Sequence, residues 1–405
     1  MSDLSARKAK ANIVLLTEDK RPLSDTDIRI TQKTHEFLFG CGAFDAVGYA
    51  LVDDPAKKAL IKERLDKWTA LFNFGTLPFY WGSYEPVEGQ PNEKALRDAA
   101  DYLVSKGARV KGHPLCWHTV CADWLLKYSN EEIMRKQLAR IDREVTGFKG
   151  LVDMWDVINE VVIMPVFDKY DNAVTRLCNY KGRIGLVKEV FDEARKCNPG
   201  ATLLINDFNT SPAYEKLLDE LLDAGVVPDA IGIQSHQHQG YWGLAKLNDV
   251  LERFSRFGIP IHFTENTLIS GDIMPADIED LNDYQVETWP STEEGEARQA
   301  KEICEMYETL FSHPLVEAIT TWDLTDDCWL HAPAGVLRSD NTPKPSYNAL
   351  MDLIHGKWET HLTLRTDADG RIIFDGFKGD YELTAPDGKT VTFSLKEDVK
   401  GVFTI

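Results

Sequence analysis

From about residue 35 onward, short runs of apolar and β-branched residues alternate with longer stretches whose apolar positions recur every three or four residues. The short runs read as buried strands and the longer stretches as amphipathic helices laid against them. Candidate strands fall at 36–44, 72–79, 109–117, 154–160, 202–208, 230–236, 261–265 and 318–324. Helical patterns lie near 55–70, 92–106, 130–146, 179–197, 212–224, 244–257, 294–311 and 344–354. Strict alternation of eight such pairs predicts an α/β fold closed into a (β/α)8 TIM barrel, since an open doubly wound sheet would have fewer strands. No glycine-rich nucleotide or phosphate loop interrupts the series.

The flanks follow a different period. Residues 12–31 and 358–405 alternate apolar with polar, and Asp19-Lys20-Arg21-Pro22, Asp369-Gly370 and Asp387-Gly388 mark turns between the runs. Neither end is long enough to cover a sheet face by itself, so the two are expected to pair into one small all-β module beside the barrel. The chain therefore divides into an N-terminal β segment (1–35), the barrel (36–354) and a C-terminal β module (355–405).

Parallel strands present their C-terminal ends to one shared face, and two of them end in a glutamate. Glu160 closes Trp-Asp-Val-Ile-Asn-Glu and Glu265 closes Ile-His-Phe-Thr-Glu. Two carboxyls meeting on one face are what glycoside cleavage needs: one protonates the leaving oxygen while the other attacks the anomeric carbon or activates water. A spacing of about 5–5.5 Å would mark direct attack with retention, and one above about 6.5 Å inversion.

Further chemistry gathers at the same strand ends. Gly112-His113-Pro114-Leu115-Cys116-Trp117-His118 brings imidazole and indole, which suit sugar hydroxyls and sugar C–H faces. Gln234 and His236 lie on the strand before Glu265, where a hydrogen bond from His236 would favour the ionised carboxylate. Asn159 could reach a hydroxyl beside the cleaved bond, and Trp322 and Trp329 offer stacking surfaces. A metal site would need a fuller donor set: His113, His118, His236 and His238 lack standard zinc spacing, so neither metal nor other cofactor is expected. Activity should survive a chelator. The long stretches after the glutamates, 161–178 and 266–293, read as functional loops. The second contains Trp289, and from Asp272 to Glu296 it carries nine acids with no Lys or Arg; a solvated acidic loop and a lid bordering substrate fit it equally.

A net charge of −20 over 405 residues argues against nucleic acid or an anionic membrane surface as partner. The expected partner is an oligosaccharide or polysaccharide, and nothing in the pattern fixes an oligomeric state. No run approaches the ~20 apolar residues of a membrane helix, and the first residues lack a secretory apolar core. With seven scattered cysteines, an odd number, this suits a cytoplasmic location, or a secreted one if a leader has been removed.

Taken together, Gly-His-Pro-Leu-Cys-Trp-His, Trp-Asp-Val-Ile-Asn-Glu, Ile-Asn-Asp-Phe-Asn (205–209), Gln-Ser-His, Phe-Thr-Glu and Leu-Arg-Ser-Asp-Asn-Thr-Pro-Lys-Pro-Ser-Tyr (337–347) resemble glycoside hydrolase family 10, the endo-β-1,4-xylanase family. The resemblance spans roughly residues 36–354. It implies a retaining mechanism with Glu160 as general acid/base and Glu265 as nucleophile. It also implies that His113, Trp117, Asn159, Gln234, His236 and Trp322 line the subsite where the bond is cut. Three departures concern substrate more than mechanism. The family's Glu-Asn-Glu-Met-Lys-Trp run, whose polar residues hold sugar units on the non-reducing side, is Thr76-Leu77-Pro78-Phe79-Tyr80-Trp81 here. An aromatic wall that includes Tyr80 and Trp81 as substrate contacts is expected in its place, suiting short substrates or an apolar group. The usual Thr-Glu-Leu-Asp is Thr264-Glu265-Asn266-Thr267, so a threonine replaces the acid that normally supports the nucleophile through histidine. A Gln that often follows the Trp-His stretch is Val120. Xylan fragments or xylo-oligosaccharides are the expected substrates. The alternatives are a plant glycoside or other decorated β-oligosaccharide, or a non-catalytic carbohydrate-binding protein on a decayed barrel.

Overall fold

The computed structural model describes residues 3–405. Strands β1 (Lys8–Leu16) and β2 (Asp27–His35) come first. Eight strands follow: β3 (Leu38–Gly42), β4 (Phe74–Pro78), β5 (Arg109–His113), β6 (Met154–Asn159), β7 (Thr202–Asp207), β8 (Ala230–Gln237), β9 (Ile261–Leu268) and β10 (Val316–Thr321). They close in the order β10-β3-β4-β5-β6-β7-β8-β9, every pair parallel, which is the (β/α)8 barrel expected from the pattern.

Helices form the outer ring and begin where the sequence supplies caps. Asp54 accepts the Lys57 N–H ahead of the helix Pro55–Leu71, and Ser129 with Glu132 completes a capping box on Asn130–Gly147. Thr292 takes the Gly295 N–H at the start of Glu293–Ser312, whose first turn carries Glu293, Glu294 and Glu296 toward the positive end of its dipole.

Strands β11 (His361–Arg365), β12 (Arg371–Phe377), β13 (Gly379–Thr384), β14 (Thr390–Leu395) and β15 (Val399–Thr404) complete the chain. The two ends do meet. One sheet runs β12-β1-β15 and the other β11-β2-β13-β14, enclosing Ile13, Leu15, Ile28, Ile30, Phe374, Tyr381 and Leu383. β1 contributes apolar side chains at every second residue to this core, as a half-buried strand must. The module is held to the barrel's underside through Arg7, which donates to the carbonyls of Phe311, His313 and Val316. Trp358 is 1% exposed and stacks on Phe39 and Phe311, with ring centroids 5.8 and 4.2 Å away. Trp358 and Tyr381 are thus packing residues.

On the opposite face a buried cation fastens the last two barrel loops. The Lys344 side chain is 0% exposed, and its Nζ donates to Ser270 Oγ (2.8 Å), Gly335 O (2.9 Å) and Asp326 Oδ1 (2.5 Å). Removing the acid leaves an ammonium sealed in protein without its counter-charge. Asp326→Ala is expected to destabilise the fold by about 3–5 kcal/mol. Urea denaturation at neutral pH checks this, and a loss below about 1 kcal/mol would mean the pair behaves like an exposed one.

Candidate active site

The eight strands deliver their chemistry to one mouth. β6 ends at Asn159, and Glu160 follows with φ +57°, a left-handed conformation that only glycine adopts without cost. Its N–H is fixed to Asn206 O at 2.8 Å, so the chain turns sharply and the carboxyl stands over the cleft instead of continuing the strand. There Glu160 Oε2 accepts the Trp117 indole N–H at 2.8 Å. Its Oε1 lies 3.3 Å from the amide nitrogens of Gln234 and Asn159.

Glu265 is aimed by a bulge. β8 and β9 pair Ile233 with Phe263 and then Gln234 with Glu265, leaving Thr264 as the extra residue. Glu265 Oε1 accepts from Asn206 Nδ2 at 2.7 Å, and Oε2 lies 3.1 Å from His236 Nε2. A carboxylate only accepts, so Asn206 presents its amide nitrogen here and its Oδ1 takes the Thr264 hydroxyl at 2.6 Å. The same nitrogen reaches Asn159 Oδ1 at 2.9 Å, and Gln234 Nε2 reaches that oxygen at 3.0 Å. Asn159, Gln234 and Asn206 therefore link the two carboxyls through one continuous amide network. Gly232 makes room for it, since a Cβ there would come within 2.4 Å of Asn206 Oδ1.

Beneath Glu265 lies a charged column inside the barrel. His113 Nε2 is 3.8 Å from Glu265 Oε1, while its Nδ1 lies 2.7 Å from Asp156 Oδ2, which Lys111 Nζ also approaches to 2.7 Å. The two glutamates are driven apart in acidity. Burial, reinforced by the negative charge of Glu265, pushes the Glu160 carboxyl up to about 8 against the opposing Trp117 hydrogen bond. Burial works to raise Glu265 as well, but His113, the His236 hydrogen bond and Lys111 outweigh it and hold that carboxyl below its ordinary value. Near neutrality one carboxyl keeps its proton and the other is ionised, the division a glycosidase requires.

Aromatic rings wall the cleft. Tyr80 lies 5.7 Å from His113, 5.4 Å from Trp117 and 6.5 Å from Phe44 between ring centroids. Trp322 packs edge-on to Phe44 (5.3 Å), His113 (5.4 Å) and His236 (6.0 Å), and Trp329 lies 4.6 Å from His236. Trp81 does not join them, correcting its expected role as a substrate contact. It opens the short helix Trp81–Tyr84 and turns away from Tyr80, 5% exposed, giving its N–H to Glu85 and packing edge-on against Trp124 with Arg140 over its face.

The threonine at 267 also changes the histidine network. Its hydroxyl accepts the Gln237 N–H at 3.0 Å and lies 3.2 Å from His238 Nδ1, not beside His236. His236 donates from Nε2 to Glu265, and its Nδ1 is buried without a protein partner.

The loops are more ordered than their sequence suggests. Residues 161–178 include a 3-10 turn at Met164–Val166 and the start of a helix, Ala173–Lys181. β9 continues to Leu268, and the acidic stretch beyond it has a small core of Ile269, Met274, Trp289, Ala332 and Ala334. Trp289 is buried and gives its N–H to Asp272 O, so it is an anchor of the loop. Lys169 lies 2.7 Å from both Asp280 and Asp283, tying together the loops that follow the two glutamates.

Four residues that the sequence did not single out stand within this constellation: Asn206, Lys111, Asp156 and Phe44. Asp156 and Asn206 belong to runs already noted, and their signal was a polar residue in an otherwise apolar strand, which a buried network alone explains. Among the described residues, the group able to offer three metal donors, Asp142, Glu193 and Cys197, lies on the outer helices Asn130–Gly147 and Arg183–Cys197. No helix among them is long and apolar enough to cross a membrane.

Comparison with known proteins bears on the whole barrel. The family model described as glycosyl hydrolase family 10 matches residues 49–353. The chain is 25% identical over 414 residues to an endo-1,4-beta-xylanase/feruloyl esterase of Xylanibacter ruminicola, covering 89% of this chain and 54% of that protein. It is 28% identical over 243 residues to a beta-1,4-xylanase of Dictyoglomus thermophilum, covering 58% of this chain and 65% of that protein. An anti-sigma-I factor of Acetivibrio thermocellus is 24% identical over 392 residues, with 93% and 45% covered. The chain thus spans less than two thirds of the length of these relatives. Among solved structures, xylanase 10B of Thermotoga petrophila in complex with xylobiose superposes with a TM-score of 0.63 at 22% identity, over 80% of this chain and 95% of that one. That likeness speaks to the fold.

Proposed function

The chain belongs to glycosyl hydrolase family 10, and from that premise we propose that it is a retaining β-glycoside hydrolase acting on xylan fragments or xylo-oligosaccharides. The observation that carries this reading is the opposed acidity of two carboxyls joined by one amide network: Glu160 raised to about 8 and Glu265 lowered.

In the first step the Glu265 carboxylate attacks the anomeric carbon as the bond to the leaving oxygen breaks, and Glu160 gives that oxygen its proton. In the second, Glu160, now ionised, takes a proton from water, whose oxygen attacks the same carbon and frees Glu265. Trp117 and Gln234 hold Glu160 while it changes protonation state; Asn206 and His236 hold Glu265 in place. Tyr80, Trp322 and Trp329 offer the sugar rings their faces. Phe44 closes on Tyr80 and Trp322, which favours short chains over long polymer on that flank. A decayed binding protein would have no use for a proton kept on one carboxyl and removed from the other.

Incubation with xylotriose, followed by proton NMR of the first products, tests the proposal. The β anomer should appear first and mutarotate afterwards. First release of the α anomer would contradict retention. Untouched xylo-oligosaccharides beside cleavage of another β-glycoside would remove xylan from the reading.

A further inference from the structure

A cavity of about 280 Å³ lies under the barrel, at its joint with the β-module. Both parts of the molecule supply its walls. Arg109, His262 and Glu317 stand at the first or second residue of β5, β9 and β10, the strand ends opposite the mouth that holds the two glutamates. Arg7, Lys378 and Lys396 come from the module. On a chain whose net charge is −20, the cavity is thus lined by four cations against two acids, Glu36 and Glu317. Among the described residues none of the four forms a salt bridge with either acid or with any other carboxylate. Arg7 commits Nε and Nη2 to the carbonyls of Phe311, His313 and Val316, which leaves both N–H groups of Nη1 uncommitted. Burial holds its guanidinium down to about 10, and Glu317 and Glu36 offset that only in part.

His262 adds an independent sign of a ligand. Its side chain is 1% exposed and lines the cavity, yet neither ring nitrogen has a hydrogen-bond partner. Glu317 Oε2, 3.8 Å from Nε2, is beyond hydrogen-bonding range. Burial lowers the basicity of this imidazole, so near neutrality it is uncharged and keeps one N–H to donate. A buried polar group is ordinarily paired, and an unpaired one among unpaired cations marks a place for an anionic acceptor. Two arginines and two lysines exceed what one carboxylate can answer. A phosphate group carries about −1.5 to −2 near neutrality and presents three oxygens, which guanidinium forks and ammonium groups both match. The space falls just below the range of drug-sized sites, so it admits a phosphate alone or one borne on a single small sugar.

We propose that the joint between the β-module and the barrel is a binding site for a small phosphate-bearing anion, held by Arg7, Arg109, Lys378, Lys396 and the His262 N–H. The site lies at the other end of the barrel from the glutamates, and its test reads no turnover, so it stands or falls apart from the hydrolase reading. Isothermal titration of the intact protein with inorganic phosphate and with ribose 5-phosphate, at one ionic strength set with sodium chloride, decides it. Arg109→Gln and Lys396→Gln each change an exposed side chain, so both variants should fold, as their circular dichroism spectra would verify. Lys400→Gln, on β15 and outside the cavity, controls for loss of charge alone. Wild type should bind one equivalent, with Kd raised about three- to tenfold in Arg109→Gln and in Lys396→Gln and unchanged in Lys400→Gln. Tighter binding of ribose 5-phosphate identifies a phosphate ester as the ligand, and equal or weaker binding the free ion; either supports the site. Absence of saturable binding of both compounds, or a Kd in the two cavity variants no different from that of Lys400→Gln, overturns it.

Discussion

Glu265→Ala should abolish turnover of xylo-oligosaccharides by at least about 10⁴-fold, the scale on which losing one member of a covalent catalytic unit acts. The side chain stands in a setting that has no other purpose for a negative charge: His236 and Asn206 donate to it, and His113 with Lys111 supplies positive potential from below. The variant vacates space on the face from which the anomeric carbon is attacked, so a small anion can take the missing role. Added azide should restore part of the rate with an activated aryl glycoside and yield the α-glycosyl azide, because only one displacement then occurs. Retained activity in Glu265→Ala, or a β-glycosyl azide from it, would move the nucleophile elsewhere.

Glu160→Gln should act by a different signature. General acid catalysis contributes about 10²–10⁴-fold, and the loss is expected in full for sugar leaving groups and far less for the first step on a dinitrophenyl glycoside. Equal losses on both would count against Glu160 as acid. The pH profile carries the same assignment. Glu160 must hold its proton to act as acid, and its carboxyl is raised to about 8, so wild-type kcat/KM should fall as pH rises through about 8. Glu265 must be ionised and is lowered from 4.5, so the acid limb should lie below 4.5. In Glu160→Gln the alkaline limb should vanish while the acid limb stays. An alkaline limb that persists unchanged would belong to another group.

The two glutamates were legible because each closes an apolar run, and strand C-terminal ends share one face whatever their separation along the chain. Their supports were less so. Asn206, Asp156 and Lys111 interrupt hydrophobic strands, and periodicity registers a buried polar side chain as noise unless its partner is known. Neighbouring Tyr80 and Trp81 looked alike, yet one faces the cleft and the other the helix layer, because a helix starts between them and the strand's alternation no longer applies. The continuation of β9 through Asn266, Thr267 and Leu268 was hidden for a related reason. Asn266 satisfies its buried amide on Thr320 O, Phe263 O and Ser235, so polar residues extend a strand whose apolar signal stops at Phe263. The acidic stretch beyond it read as solvated because its few apolar residues are far apart in sequence; they meet only after the loop folds back on Ala332 and Ala334.

The left-handed backbone at Glu160 has an implication for how such a molecule can age or be improved. A side chain held at φ +57° stores roughly 1–3 kcal/mol that the unfolded chain does not carry, and glycine alone would release it. Durability and chemistry therefore pull in opposite directions at this one residue. Any search that rewards heat resistance without rewarding hydrolysis is drawn toward erasing the acid, and a hardier descendant that keeps its turnover must find its gains elsewhere in the molecule.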